Sequence, residues 1–125
     1  REKVEYAMKT LGISGLSDRD ISTLSDGEFQ KGIIAAALAR RASIILLDEP
    51  TAFLDPDNRI SVLRSLQNLC TSTGCGVIFS THDLHDAARF CNKAITIGDD
   101  GKARCTAGSI ESAISSIFPE AGLLQ

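Results

Sequence analysis

Apolar residues in this chain follow two spacings, one typical of helices and one typical of buried strands. Apolar stripes at helical spacing predict helices over residues 2–11, 27–41, 56–73, 83–91 and 108–117. Short unbroken apolar runs predict strands over residues 44–47, 76–80 and 94–97, and residues 13–23 are predicted as a loop. Asp100-Gly101 is a tight-turn dipeptide, which predicts a hairpin over residues 94–106. Because strand and helix patterns alternate, we expect an α/β fold with right-handed crossovers.

Polar residues and glycines mark the ends of the predicted helices. Gly12 is expected to end the first helix. Ser25 and Glu28 form the Ser-x-x-Glu pattern of a capping box, which begins the second helix. Asp55 followed by Pro56 is the pattern of an N-cap residue and the first helical position, so the third helix is expected to begin there.

Two adjacent carboxylates, Asp48 and Glu49, follow the apolar run Ile44–Leu47. A run of this kind is typical of a strand that is buried on both faces of a parallel sheet. Open α/β sheets bind ligands beyond the carboxyl ends of such strands. There, one carboxylate can hold Mg²⁺ while the other polarises an attacking water. The alternative is an acidic turn with a purely structural role.

Two further motifs also have both a functional and a structural explanation. His82 follows the second predicted strand and is expected to face the same crevice, where it can donate a hydrogen bond to a terminal phosphate. A single histidine is otherwise usually a structural or surface residue. Residues 24–28, Leu-Ser-Asp-Gly-Glu, begin a helix, and the free N–H groups of a helix N-terminus bind anions. An ordinary capping box accounts equally well for Ser25 and Glu28.

Composition narrows the possible classes of protein. The 125 residues suffice for one domain, and a net charge of −3 argues against a general nucleic-acid-binding protein. Four cysteines occur without a Cys-x-x-Cys pair, which is typical of reduced cysteines in a cytosolic protein. No apolar run approaches the roughly 20 residues that span a bilayer.

The order of the motifs is more specific than any one of them. Together they resemble the ABC ATPase family, and the resemblance covers nearly the whole chain. The matching segments are residues 24–28 (signature motif), 44–49 (Walker B strand), 52–55 (D-loop), His82 (switch histidine), and Asp100-Gly101 with Gly108 (the trailing Asp-Gly…Gly pattern).

This resemblance implies both a fold and a chemistry. The fold is the C-terminal portion of a P-loop NTPase domain. Residues 1–41 are the end of its helical subdomain with the signature helix, and residues 42–125 are the RecA-like part, a mostly parallel sheet flanked by helices. Asp48 would position Mg²⁺, Glu49 would be the general base for water attack on the γ-phosphate of ATP, and His82 would contact that phosphate. The residues implied to meet ATP held by a second ATPase subunit are Ser25, Gly27, Glu28 and Asp55.

The variant motifs are most similar to those of bacterial importers of iron chelates, haem or cobalamin. The implied partners are a second ATPase subunit and membrane permease subunits, with the ATPase peripheral to the cytoplasmic face of the bacterial inner membrane. Three alternatives remain open. They are a soluble ABC ATPase without a permease, a non-catalytic module that acts in trans, and a helicase-type NTPase, against which Pro50-Thr51 and the signature motif argue.

The sequence departs from the family pattern at four places. The phosphate-binding loop Gly-x-x-x-x-Gly-Lys-Ser/Thr is absent, and the family carries it upstream of the segment that matches this chain, so we expect the chain to be a fragment. Asp26 stands where the family usually has glycine, Gly32 lies inside the signature helix, and Ala36 replaces a common arginine. These substitutions bear on how well the signature motif binds phosphate.

We predict that the chain of 125 residues does not hydrolyse ATP by itself, because it lacks that phosphate-binding loop. Phosphate release from Mg-ATP, measured with the purified chain, is expected to equal the buffer background. Turnover above background that Glu49→Gln abolishes would contradict the prediction.

Overall fold

The computed structural model describes residues 1–106 and 109–117. The chain forms two compact units, one comprising Arg1–Ser80 and the other beginning at Thr81. The predicted division into a helical subdomain (residues 1–41) and a RecA-like part (residues 42–125) stays a prediction. The first unit contains helices α1 (Glu2–Thr10), α2 (Asp26–Ala39) and α3 (Pro56–Thr73) and strands β1 (Ile44–Leu47) and β2 (Gly76–Phe79). Two short 3₁₀ turns, Ser14–Leu16 and Ile21–Thr23, lie in the predicted loop.

The helix ends follow the local chemistry that the sequence predicts. Ser25 and Glu28 form both bonds of a capping box at the start of α2, and the Asp55 side chain caps α3 with Pro56 in its first turn. Gly12 lies one residue beyond the C-cap of α1, and Gly74 is the C-cap of α3, each with a φ of 72°. Glycine adopts this left-handed conformation without the steric cost of a Cβ atom, so both helices end there.

The core of the first unit lies among its three helices and one face of the sheet. The helices pack against one another. Leu66 and Leu69 of α3 and Ile45 of β1 belong to this core. The inward face predicted for α3 is confirmed at Leu63, Leu66 and Leu69, whereas Ile60 is only half-buried and Val62 is fully buried.

β1 and β2 form a parallel pair in which Leu47 lies opposite Phe79. The Ser80 N–H continues the ladder by donating to the Leu47 carbonyl oxygen at 3.1 Å. The two strands therefore end side by side, and the residues that follow them, Asp48 and Ser80, are neighbours.

The prediction that the first strand is buried on both faces is wrong for this chain. Ile45 is buried, but Ile44 and Leu46 are 60% and 72% exposed, and Ile78 of β2 is 49% exposed. The physical reason is that the helices of the first unit cover one face of the sheet. The other face remains an exposed apolar surface, which we call the open face (Ile44, Leu46 and Ile78).

The second unit contains helices α4 (Leu84–Phe90) and α5 (Ile110–Ile117) and strands β3 (Ile95–Ile97) and β4 (Ala103–Cys105). β3 and β4 form the predicted antiparallel hairpin, which the Arg104–Asp100 ion pair braces at 2.7 Å. α4 packs against α5, where Ile110 and Ile114 are buried. Gly108, predicted to begin the last helix, lies outside the described residues. None of the helices described in either unit has the length and apolar character of a membrane span.

We predict that the chain associates through the open face. Leu46→Lys places a charge on this face and is expected to shift the chain toward monomer, because lysine on an exposed strand discourages strand pairing and burial. Light scattering coupled to size-exclusion chromatography measures the effect. Ile21→Lys is the matched control, since Ile21 is 68% exposed but belongs to a 3₁₀ turn and not to a strand. Equal shifts for both variants would contradict a role for this face.

Candidate functional site

The carboxyl ends of β1 and β2 are joined through one hydroxyl group. Ser80 Oγ donates a hydrogen bond to Asp48 Oδ1 at 2.7 Å and accepts one from the Glu49 N–H at 2.9 Å. We call Asp48 and Glu49 the acidic turn. Ser80 thus fixes a side chain and a backbone group of this turn at the same time.

Glu49 adopts a left-handed backbone conformation with a φ of 44°. Outside glycine this conformation is sparsely populated and costs about 1–3 kcal/mol, so the surrounding structure has to hold it. The hydrogen bond from its N–H to Ser80 contributes to that, and Pro50 and Thr51 directly after it are buried. Strain of this kind is often found at functional sites. The Asp48 side chain next to it is exposed.

The start of α2 carries the second predicted motif, residues 24–28, which we call the signature turn. The Glu28 N–H donates to Ser25 Oγ at 3.1 Å, and the Ser25 N–H donates to Glu28 Oε1 at 2.9 Å. The bond from the Ser25 backbone lowers the pKa of the Glu28 carboxyl. Ser25 uses its hydroxyl oxygen as an acceptor here, and the hydroxyl proton can still be donated to another group. The N–H groups of Asp26 and Gly27 lie in the first turn, where a helix binds anions.

The signature turn and the acidic turn border one groove of about 430 Å³. The groove brings together the N-terminus of α2, the carboxyl end of β1 and the loop that leads toward α3. Its lining residues are Asp26, Phe29, Gln30, Asp48, Glu49, Pro50, Ala52, Phe53 and Leu54. The sequence did not predict that Asp26 places a third carboxylate in this groove.

Asp55 and Phe53 define the end of that loop. Asp55 Oδ1 accepts a hydrogen bond from the Asn58 N–H at 3.1 Å, so its carboxylate caps α3. Phe53 is completely exposed and has a φ of 66°, another left-handed conformation outside glycine. The loop therefore holds a large apolar side chain in solvent next to the groove.

His82 belongs to the second unit, where its side chain is exposed and precedes α4. The neighbouring Thr81 side chain accepts a hydrogen bond from the Asp83 N–H at 2.9 Å, and Asp83 caps α4. The predicted contact of His82 with a phosphate at the acidic turn stays a prediction.

The donor atoms of the acidic turn suit magnesium that is shared with a substrate. Among residues 1–106 and 109–117, no group of three or more His, Cys, Asp or Glu side chains could hold a metal ion by itself. Mg²⁺ usually binds one or two carboxylates and completes its shell with water and phosphate oxygens. The exposed Asp48 carboxylate fits such a site.

Two residues of this region were not singled out from the sequence, Ser80 and Asn58. Ser80 could have been found from strand register, because pairing Ile44 with Gly76 places Ser80 beside Asp48. Asn58 contacts Gly27 across two helices, and no local pattern predicts that contact.

We predict that Ser80→Ala loosens the acidic turn. The variant loses both hydrogen bonds, and the free energy of unfolding of the first unit is expected to fall by about 0.5–1.5 kcal/mol, since water replaces part of the lost interaction. Amide hydrogen exchange at Glu49 should become faster. Ser72→Ala is the matched control, because Ser72 is exposed and bonds only to the Asn68 carbonyl oxygen of its own helix. Identical exchange at Glu49 in the two variants would contradict the bridging role of Ser80.

Comparisons with known proteins identify the family. A family model described as "AAA domain, putative AbiEii toxin, Type IV TA system" matches residues 3–85, more than half of the chain. The cobalamin import ATP-binding protein BtuD of Halobacterium salinarum is 40% identical over 96 residues, which are 77% of this chain and 24% of that protein. The thiamine import ATP-binding protein ThiQ of a Jannaschia species is 36% identical over 117 residues, 94% of this chain and 51% of that protein.

A solved structure described as "An inward-facing conformation of a putative metal-chelate type ABC transporter" superimposes with a TM-score of 0.79 and 28% identity. The match covers 94% of this chain and 48% of that one, so the chain spans about half or less of the proteins it matches. Both the sequence and the fold comparisons thus agree with the family resemblance. The chain belongs to the ABC transporter ATP-binding proteins, and its fold is that of part of their ATPase domain.

Proposed function

We propose that this chain is the C-terminal half of the nucleotide-binding domain in an ATPase subunit of an ABC importer. The observation that carries the proposal is the shared groove, where the signature turn, the acidic turn and the loop before α3 meet. The acidic turn and the loop before α3 follow the family motifs, and the signature turn follows its motif except at Asp26. We propose that a phosphate-binding loop in the other half of the domain completes the nucleotide site.

Within its own nucleotide site, the acidic turn supplies the chemistry. Asp48 would hold Mg²⁺, which would supply charge neutralisation for the phosphates of ATP. Glu49 accepts a proton from a water molecule as that water attacks the γ-phosphorus, and the bond from phosphorus to the bridging oxygen of ADP breaks. His82 donates a hydrogen bond to the γ-phosphate. The strained Glu49 backbone and its bond to Ser80 support this assignment, because they fix the direction in which the carboxylate leaves the strand.

The signature turn and Asp55 serve a second subunit. Ser25 donates its hydroxyl proton, and Gly27 a backbone N–H, to ATP held by the partner subunit. Glu28 keeps this N-terminus ordered through the capping box. Asp55 contacts the partner across the dimer interface from the start of α3. ATP bound between two subunits stabilises their dimer, since it binds the associated form preferentially.

The proposed cargo is a metal chelate of the iron-chelate, haem or cobalamin class. Support comes from the signature variant Leu-Ser-Asp-Gly-Glu and from the cobalamin and metal-chelate proteins that this chain resembles. The thiamine relative shows that similar chains serve other cargoes. The subunit is proposed to dock on membrane permease subunits at the cytoplasmic face of the bacterial inner membrane.

A second candidate function is that of an ATPase without a permease. The family model that matches residues 3–85 favours it, because its description refers to a toxin–antitoxin system rather than to transport. The two functions share the chemistry of the acidic turn and differ in their partners. Purification of the natural protein from membranes distinguishes them, since only the importer subunit is expected to co-purify with a permease.

We predict that Glu49→Gln lowers ATP turnover of the natural protein at least about a hundredfold, because the amide cannot accept the proton of the attacking water. Phosphate release from Mg-ATP measures the change. Glu2→Gln is the control and should keep wild-type turnover, since Glu2 lies on α1 and does not line the groove. ATP binding should survive in Glu49→Gln.

Two outcomes would contradict the proposed function. If the natural protein binds no ATP, the chain is a degenerate or trans-acting module. If Glu49→Gln turns over ATP as fast as the wild type, another group is the base.

A further inference from the structure

Gly27 of the signature turn is in close contact with Asn58 of α3. Gly27 is buried, and a Cβ atom at this position would lie 2.8 Å from Asn58 Oδ1, 3.0 Å from its Cγ and 3.1 Å from its Cβ. Rotation of the Asn58 side chain can move the first two atoms. The third is attached to the backbone of α3, so an added methyl group has to push the two helices apart.

Backbone conformation does not explain the glycine. Gly27 lies within α2 and is not among the residues with positive φ, so an alanine could adopt its conformation. Alanine is the better helix former of the two. The space occupied by Asn58 is therefore what excludes a side chain at position 27.

A second link ties the same two helices one turn further along. Lys31 Nζ donates to Ser61 Oγ at 2.6 Å, and Lys31 follows Gly27 by four residues on α2. Asn58 is in turn held by a hydrogen bond from its backbone N–H to the side chain of the cap residue Asp55. A chain of contacts thus runs from the signature turn through Asn58 to Asp55.

We propose that Gly27 and Asn58 are positioning residues that lock the signature turn and the start of α3 into one rigid surface. This inference rests on the proposed function, in which Ser25 and Asp55 meet the same partner subunit. With the lock in place, both residues reach the partner in a fixed relative position. Without it, each helix N-terminus moves separately and the ATP-dependent dimer weakens.

The contact itself is tested in the chain of 125 residues by a double-mutant cycle. Gly27→Ala is expected to lower the folding equilibrium constant on the order of tenfold through overpacking. In the Asn58→Gly background, which removes all three close atoms but keeps the N–H bond to Asp55, Gly27→Ala should instead raise that constant. Gly32→Ala is the control, since its Cβ meets nothing within 4 Å, and it should raise the constant up to about fivefold.

If Gly27→Ala changes the folding equilibrium constant equally in the wild-type and Asn58→Gly backgrounds, the proposed contact is wrong. If Gly27→Ala does not fold at all, recovery of folding in the double variant supports the contact, and its absence overturns it.

The positioning role is tested in the natural protein carrying Glu49→Gln, by ATP-dependent dimerisation in sedimentation velocity. Gly27→Ala is expected to raise the dissociation constant of the dimer at least about tenfold, with the ATP affinity of the monomer unchanged. Adding Asn58→Gly to this variant should restore most of the dimer affinity. Dimerisation that Gly27→Ala leaves intact, or that Asn58→Gly fails to restore, overturns the inference. Failure of the parent protein to bind ATP or dimerise would instead contradict the proposed function, while the folding cycle still tests the contact.

Discussion

The candidate site depends on the two hydrogen bonds made by the hydroxyl group of Ser80. This group joins two parallel strands at the point where both end, by donating to the Asp48 carboxylate and accepting from the Glu49 N–H. The left-handed backbone conformation of Glu49 costs about 1–3 kcal/mol, and the bond to Ser80 is one of the contacts that hold it. This bond therefore helps to set the path of the chain from β1 to Asp55.

That path brings two helix N-termini together. α2 begins beside the acidic turn, and α3 begins close enough to exclude a side chain at Gly27. Their partial positive charges favour an anion at this end of the unit. Asp26, Asp48 and Glu49 line the same groove, and their negative charges repel an anion there. A phosphate ligand here therefore requires an accompanying cation, which agrees with the proposed use of Mg-ATP.

The sequence predicts the features that depend on neighbouring residues. The capping box at Ser25, the cap at Asp55 and the hairpin at Asp100-Gly101 were predicted and are present, because each needs only a few consecutive residues. Asn58 against Gly27 could not be predicted, since it depends on how two helices pack. The burial of β1 was predicted on both faces because an apolar run shows what a strand prefers to contact, and it does not show which element covers it.

The open face leaves apolar side chains of β1 and β2 exposed. Burial of a side chain such as Ile44 or Leu46 stabilises a fold by about 1.5–3 kcal/mol, and here that stabilisation is not used. The apolar pattern of β1 and β2 is thus suited to a sheet with a second covering layer, as in parallel sheets generally. In the described structure, Ser80 and the buried Pro50 and Thr51 contribute to holding the acidic turn. Covering the open face would restrict the strands themselves, so we expect a second layer to order the acidic turn at their carboxyl ends as well.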